Sequence, residues 1–151
     1  MPKAGRGSAA SSPGDRRKPF LDANVLFTAA HNPEGKCSFV IELAGQGHWD
    51  ALSCTLAVEE ARRNLAVKFP DSVRRLRALL KSVEVLGTVF SSRDCPVALP
   101  PKDVPILVTA LSAKCTHLLT GDRRHFGKLM NRPDLTAGIV IQTVTEFLAG
   151  L

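Results

Sequence analysis

The chain has 151 residues, 44% apolar and 23% charged, which are values for one globular domain with a real core. No apolar run approaches the ~20 residues of a membrane span, and the charged, Gly/Ser-rich N-terminus lacks the apolar segment of a secretory signal. The net charge of +6 points toward nucleic acid, but residues 1–18 carry +4 of it and the other 133 only +2, so most of the basicity sits on a tail rather than on a binding face.

Residues 1–17 are small, polar and basic, with little to bury, and are expected to be a disordered tail preceding one domain over 18–151. The body then alternates. A strand is predicted over 18–21, a short helix over 22–30, a second helix over 35–47 and a short strand over 48–53. A longer helix follows over 55–69, its apolar stripe made by Cys54, Val58, Ala61, Leu65 and Phe69. Pro70 ends it, and Asp71 is expected to N-cap a helix running to Ser82.

A strand over 83–89 leads into a loop over 90–101, punctuated by Pro96, Pro100 and Pro101. Asp103 opens a helix to Lys114, with Pro105 tolerated in its first turn. A strand over 116–120, a short helix over 122–130, a strand over 138–141 and a terminal helix over 143–149 complete the chain. Strands alternating with helices call for a parallel central sheet with helices on both faces, a three-layer α/β/α sandwich. The four cysteines, Cys37, Cys54, Cys95 and Cys115, form no C-x-x-C pair. They read as buried free thiols in a reducing cytosol, so the protein is expected in the cytoplasm.

In a parallel sheet all strands point one way, and the residues just past their carboxyl ends share one edge, where ligands bind. Asp22 ends the first strand. Asp122 follows the 116–120 strand by one glycine. Asp103 precedes the intervening helix, and Glu60 lies on a helix that starts at the same edge. Taken singly, each aspartate is also a plausible helix cap and Glu60 a solvated helix acid. Taken together, four carboxylates repel and raise one another's pKa unless a cation neutralises them. Oxygen-only ligands favour Mg2+ or Mn2+ over zinc. Helical periodicity does not separate Glu59 from Glu60. Their neighbours do: Glu59 has Arg62 and Arg63 at i+3 and i+4, a surface ion-pair setting, while Glu60 lies beside Ala57, Ala61 and Asn64.

With these residues assembled, the chain resembles the PIN-domain nucleases. The resemblance rests on FLDANVLF, VEEARRNL, PKDVPILVTALSAKCTHLLTGDRRHF and GIVIQTVTEFL, an ordered set spanning most of residues 18–151. It implies a parallel sheet sandwiched by helices, cleavage of RNA or less often structured DNA, and Mg2+ or Mn2+ held by acids. Asp22 matches the family's first-strand Asp. Glu60 matches its helix Glu, here followed by Ala61-Arg62-Arg63-Asn64-Leu65. Asp103 matches the Asp before the fourth strand, and Asp122 the acid in Thr120-Gly121-Asp122. Many members are toxins of VapC type in toxin–antitoxin pairs, which makes an antitoxin protein a candidate partner. A homodimer is the other candidate assembly.

Phosphodiester hydrolysis needs a deprotonated water and a place for charge on the phosphoryl oxygens, and a bound divalent cation supplies both. Thr120 and Asn24 are read as capping or turn groups with a second possible role in support of the acids. Arg123, Arg124 and His125 are candidates for RNA phosphates or for a solvated helix face, and Lys102 for simple surface charge. With no Tyr, one Trp and seven Phe, mostly in apolar segments, an aromatic platform for single strands is not expected. A receiver-type phospho-acceptor would need paired acids after the first strand and a late strand-end Lys, both absent here. A dinucleotide fold would need G-x-G-x-x-G after the first strand, where residues 22–27 hold no glycine. The alternative function is a PIN-like module that binds RNA or protein without cutting.

Overall fold

The computed structural model describes residues 16–151. The disorder expected of the tail therefore falls, for residues 1–15, outside the described residues. Arg16 and Arg17 are described and bound: Arg16 pairs with Asp50 at 2.9 Å, and Arg17 donates to the Gly150 carbonyl at 3.0 Å.

The strands are β1 (Pro19–Leu21), β2 (Ala51–Cys54), β3 (Val83–Leu86), β4 (His117–Leu119) and β5 (Val140–Gln142). They form one parallel sheet in the order β3-β2-β1-β4-β5. The helices are α1 (Ala23–His31), α2 (Lys36–Gly45), α3 (Thr55–Lys68), α4 (Val73–Leu79), α5 (Val104–Ser112), α6 (Arg123–Phe126) and α7 (Val144–Ala149). Helices α1 to α4 pack on one another, and α5 packs on β2. This is the α/β/α sandwich that the alternation of elements predicts.

β1 reads as an unbroken apolar run because it is covered on both faces: Phe20 and Leu21 are both at 0% exposure. α5 is apolar on nearly all sides for the same reason. Six consecutive residues, Pro105 to Ala110, are buried. The strand order reverses between β1 and β4, since β2 and β3 extend one way from β1 and β4 and β5 the other. The carboxyl ends of these two strands thus flank the crevice at which open parallel sheets bind ligands.

Local differences from expectation have local causes. The helix expected over 71–82 is a 3₁₀ turn at Pro70–Ser72, then α4, then a second 3₁₀ turn at Leu80–Ser82. Asp71 does not cap it: the N-cap position falls at Ser72, which makes no side-chain bond. β3 stops at Leu86, three residues early, and as an edge strand leaves Val85 at 38% exposure. Gly47, at φ 94°, turns the chain after α2 in a conformation glycine adopts without penalty. α7 opens on a full capping box, with Thr143 and Glu146 bonding each other's backbone N–H. Thr143→Ala is therefore expected to cost about 1 kcal/mol and Asp71→Ala less than about 0.5, as read from urea midpoints at constant m.

Among the described residues all four cysteines are free, Cys54 and Cys115 buried and Cys37 and Cys95 half-buried. No helix among the described residues is long and apolar enough to cross a membrane.

Candidate metal centre

Asp22 follows β1 directly and is only 7% exposed. Its Oδ1 accepts from Ala23 N at 2.8 Å, capping α1. Its Oδ2 accepts from the Thr120 hydroxyl at 2.8 Å and from Asn24 Nδ2 at 3.2 Å. Burial pushes the carboxyl up to about 6. The Thr120 and Ala23 hydrogen bonds oppose that rise, and the charges of Asp103 and Glu60 add to it. Asp22 thus caps α1 through Oδ1 and lies near enough to Asp103 and Glu60 to feel their charge.

Thr120 and Asn24 tie the two strand ends together. Besides donating to Asp22, the Thr120 hydroxyl accepts from Asp122 N at 3.1 Å and from Asn24 Nδ2 at 3.1 Å. Asn24 Oδ1 accepts from Gly121 N at 2.7 Å. Both residues are more than turn groups: between them they fix Asp22 and Asp122 across the β1–β4 crevice.

Asp103 stands at the N-cap of α5 but makes no side-chain cap bond. Its side chain is 8% exposed, and Oδ2 is buried without a hydrogen bond. An uncommitted buried carboxylate oxygen is costly. Burial raises the Asp103 carboxyl, the nearby His125 and Lys102 lower it, and Asp122 raises it. Lys102 therefore acts on the site electrostatically.

Asp122 uses Oδ1 to accept from His125 N at 3.1 Å, capping α6. Its Oδ2 is 3.0 Å from His125 Nδ1, which in turn is 2.8 Å from Asp103 Oδ2. Both contacts are at ion-pair distance, although neither meets the alignment of a hydrogen bond. One ligand atom from each of Asp103, Asp122 and His125 lies within 4.8 Å of the other two.

Glu60, on α3, is half-buried and near enough to Asp22 for its charge to raise the Asp22 carboxyl. Glu59 is engaged elsewhere, with both carboxylate oxygens on the Arg62 guanidinium. The ion pair expected of that residue is present.

His125 differs from the two arginines that precede it. The sequence offers all three for RNA phosphates or for a solvated helix face. Both arginines are exposed, whereas His125 turns inward beside the fully buried Phe126. The usable signal was its position three residues after Asp122 on one helical turn. The aromatic surface was also underestimated: Phe39, Phe69 and Phe90 are 46%, 43% and 69% exposed, and Phe69 stacks on His31 with ring centroids 4.5 Å apart.

A cleft of about 690 Å³ adjoins Asp122, lined in part by Asn24, Lys36, Thr120, Thr143 and Thr145. A second hollow, about 400 Å³, lies at the opposite edge of the sheet between the end of α2 and the start of β3, and none of the four acids lines it.

The sequence profile of the PIN domain matches residues 18–124. The chain belongs to the PIN-domain family. No curated protein matches it. Among solved structures it is similar to VapBC2 from Rickettsia felis bound to a DNA fragment from their promoter, at 12% identity and TM-score 0.62, covering 83% of this chain and 98% of that one. It is also similar to a toxin–antitoxin complex from Klebsiella pneumoniae, at 18% identity and TM-score 0.54, covering 72% and 89%. A third is VapC20 from Mycobacterium tuberculosis, described as a Sarcin-Ricin loop cleaving toxin, at 10% identity and TM-score 0.51, covering 74% and 94%. At these identities the likeness is one of fold.

Proposed function

We propose that this chain is an endoribonuclease dependent on Mg2+ or Mn2+, which hydrolyses RNA phosphodiester bonds and serves as the toxin of a toxin–antitoxin pair. The observation that carries the reading is the cluster of Asp103, Asp122 and His125, one ligand atom from each within 4.8 Å of the other two, with Asp103 Oδ2 buried. A divalent cation would neutralise these acids and could take all three ligand atoms. The residues fit one: the nearby atoms are mostly carboxylate oxygens, which suit hard cations.

Asp103 and Asp122 would hold the ion, with Asp22 and Glu60 completing the acidic wall. A cation bound there supplies an ionised water at neutral pH and offsets charge on the phosphoryl oxygens. The chain's own groups do the rest. Thr120 and Asn24 hold Asp22 oriented, with one carboxylate oxygen on the α1 backbone and the other on their own side chains. Lys36 in the adjoining cleft offers a positive charge to a backbone phosphate, and the Thr143 and Thr145 hydroxyls line the same cleft. Arg123 and Arg124, exposed beside the site, extend that positive surface.

The toxin assignment is supported by the family and by the toxins among proteins of the same fold. A cytoplasmic location agrees with the four free thiols. Cleavage of a test RNA is expected to stop in excess chelator and to return with Mg2+ or Mn2+. Full cleavage in chelator would overturn the metal reading. RNA binding with no cleavage under any metal would instead favour the non-cutting PIN-like module. An adjacent gene whose small DNA-binding product blocks cleavage when co-expressed is the expected mark of the antitoxin.

A further inference from the structure

We propose that His125 is itself a ligand of the cation, through Nδ1, so that the centre is a mixed nitrogen–oxygen site that prefers Mn2+ to Mg2+. The inference rests on the metal-site reading above and names a ligand of another chemical type within it. Two independent features carry it. The first is geometric. At bond lengths of about 2.0–2.1 Å, neighbouring ligands of an octahedral ion sit about 2.9 Å apart. His125 Nδ1 lies 2.8 Å from Asp103 Oδ2 and 3.0 Å from Asp122 Oδ2. These separations fit atoms sharing one ion, as they also fit ion pairs between a protonated imidazole and the two carboxylates.

The second feature is the state of the atoms. Asp103 Oδ2 and His125 Nδ1 are both buried with no hydrogen-bond partner. Had the imidazole been a simple partner for either carboxylate, its N–H would point along one contact. It points along neither, and Nδ1 sits between the two oxygens. One ligand atom from each of Asp103, Asp122 and His125 lies within 4.8 Å of the other two, so a single cation placed among them would take all three.

The fold keeps the ring there. Asp122 caps α6 by accepting from His125 N, which leaves Oδ2 as the oxygen facing Nδ1. Phe126, at 0% exposure, anchors the turn into the core and sets the direction of its neighbour. The single helical turn of α6 therefore delivers a carboxylate and an imidazole to one point. Imidazole nitrogen binds Mn2+ better than Mg2+, which holds to oxygen and to its own water. A centre made of acids alone would not discriminate in this way.

The test reads the bound ion rather than turnover. Mn2+ is added to the purified full-length protein, its affinity and that of Mg2+ are measured by calorimetry, and electron spin-echo modulation of bound Mn2+ is recorded. The wild type is expected to show nitrogen coupling that changes on 15N-histidine labelling. His125→Phe is expected to lose that coupling and to bind Mn2+ about 10–100-fold more weakly, a loss at least as large as that of a supporting group around a metal. Its Mg2+ affinity should fall less. His125→Asn gives a second variant if the phenylalanine disturbs the turn, and circular dichroism checks both. Mn2+ bound without nitrogen coupling in the wild type would overturn the ligand role of His125 and leave the oxygen site standing. Coupling that survives in both variants would overturn it as well. No Mn2+ binding at all would overturn this inference together with the metal reading beneath it.

Discussion

Glu60→Gln is expected to cut RNA cleavage by orders of magnitude, and Glu59→Gln to leave it nearly unchanged. The two residues are adjacent acids on α3, alike in helix propensity and both half-buried. A purely structural role would make their replacements look alike. Their electrostatic surroundings separate them. Glu59 spends its carboxylate on Arg62, a pair nearly half exposed at both ends. The charge of Glu60 is instead felt at Asp22, whose carboxyl it helps to raise. Glutamine keeps the size of the side chain and removes the charge that a hard cation requires. Where metal-assisted water activation carries much of the rate, losing that charge is severe. The measurement is cleavage of a test RNA by both variants at matched Mg2+, with matched circular dichroism. A dead Glu59→Gln beside a live Glu60→Gln would reverse the assignment of that helix face.

Much of this site was legible because strand ends announce themselves. An apolar pair running into Asp22, and Leu118-Leu119 running through Thr120 and Gly121 into Asp122, mark two carboxyl-terminal edges. A parallel sheet then places both at one crevice, and the order of the strands does so through the reversal between β1 and β4. Arg62 three residues beyond Glu59 likewise foretold the ion pair.

What stayed hidden depends on side-chain direction, which residue type does not encode. Asp103 and Asp122 both precede a helix and both look like caps. Only Asp122 spends an oxygen on its helix, while Asp103 leaves its helix uncapped and sets Oδ2 2.8 Å from His125 Nδ1. His125 was hidden because α6 has four residues, too few for periodicity to say which side faces in. The burial of Phe126 decides it, and that burial is a tertiary fact. The break of the 71–82 helix is a similar case. Asp71 had the right chemistry for a cap, but Pro70 starts a 3₁₀ turn that carries Asp71 inside it and shifts the cap to Ser72.

Asp22→Asn is expected to make the metal-free protein more stable at pH 7 and to change how its stability depends on pH. The Asp22 carboxyl is pushed up to about 6 in the fold from an ordinary value of 3.8. The native state therefore holds a proton that the unfolded chain has already released between those values. Stability falls as pH rises through this window, and the loss is complete above about pH 6. A shift of that size corresponds to about 3 kcal/mol. His117 acts with the opposite sign: burial, aided by Arg17, pushes it down to about 4, so it removes stability as pH falls from 6.5. That contribution is common to wild type and variant and cancels in their difference. Asparagine keeps an oxygen for the Ala23 N–H but puts an amide where Thr120 and Asn24 now donate, at a cost of about 1 kcal/mol. The gain of variant over wild type, measured by urea unfolding in chelator, should grow by about 2.5 kcal/mol from pH 4 to pH 7. Adding Mn2+ should then stabilise the wild type more than the variant and shrink that gain. A difference that does not change with pH would refute the raised Asp22 carboxyl, whose main cause is burial. A large, pH-independent loss of stability would show that Asp22 is held in place for its cap on α1 alone.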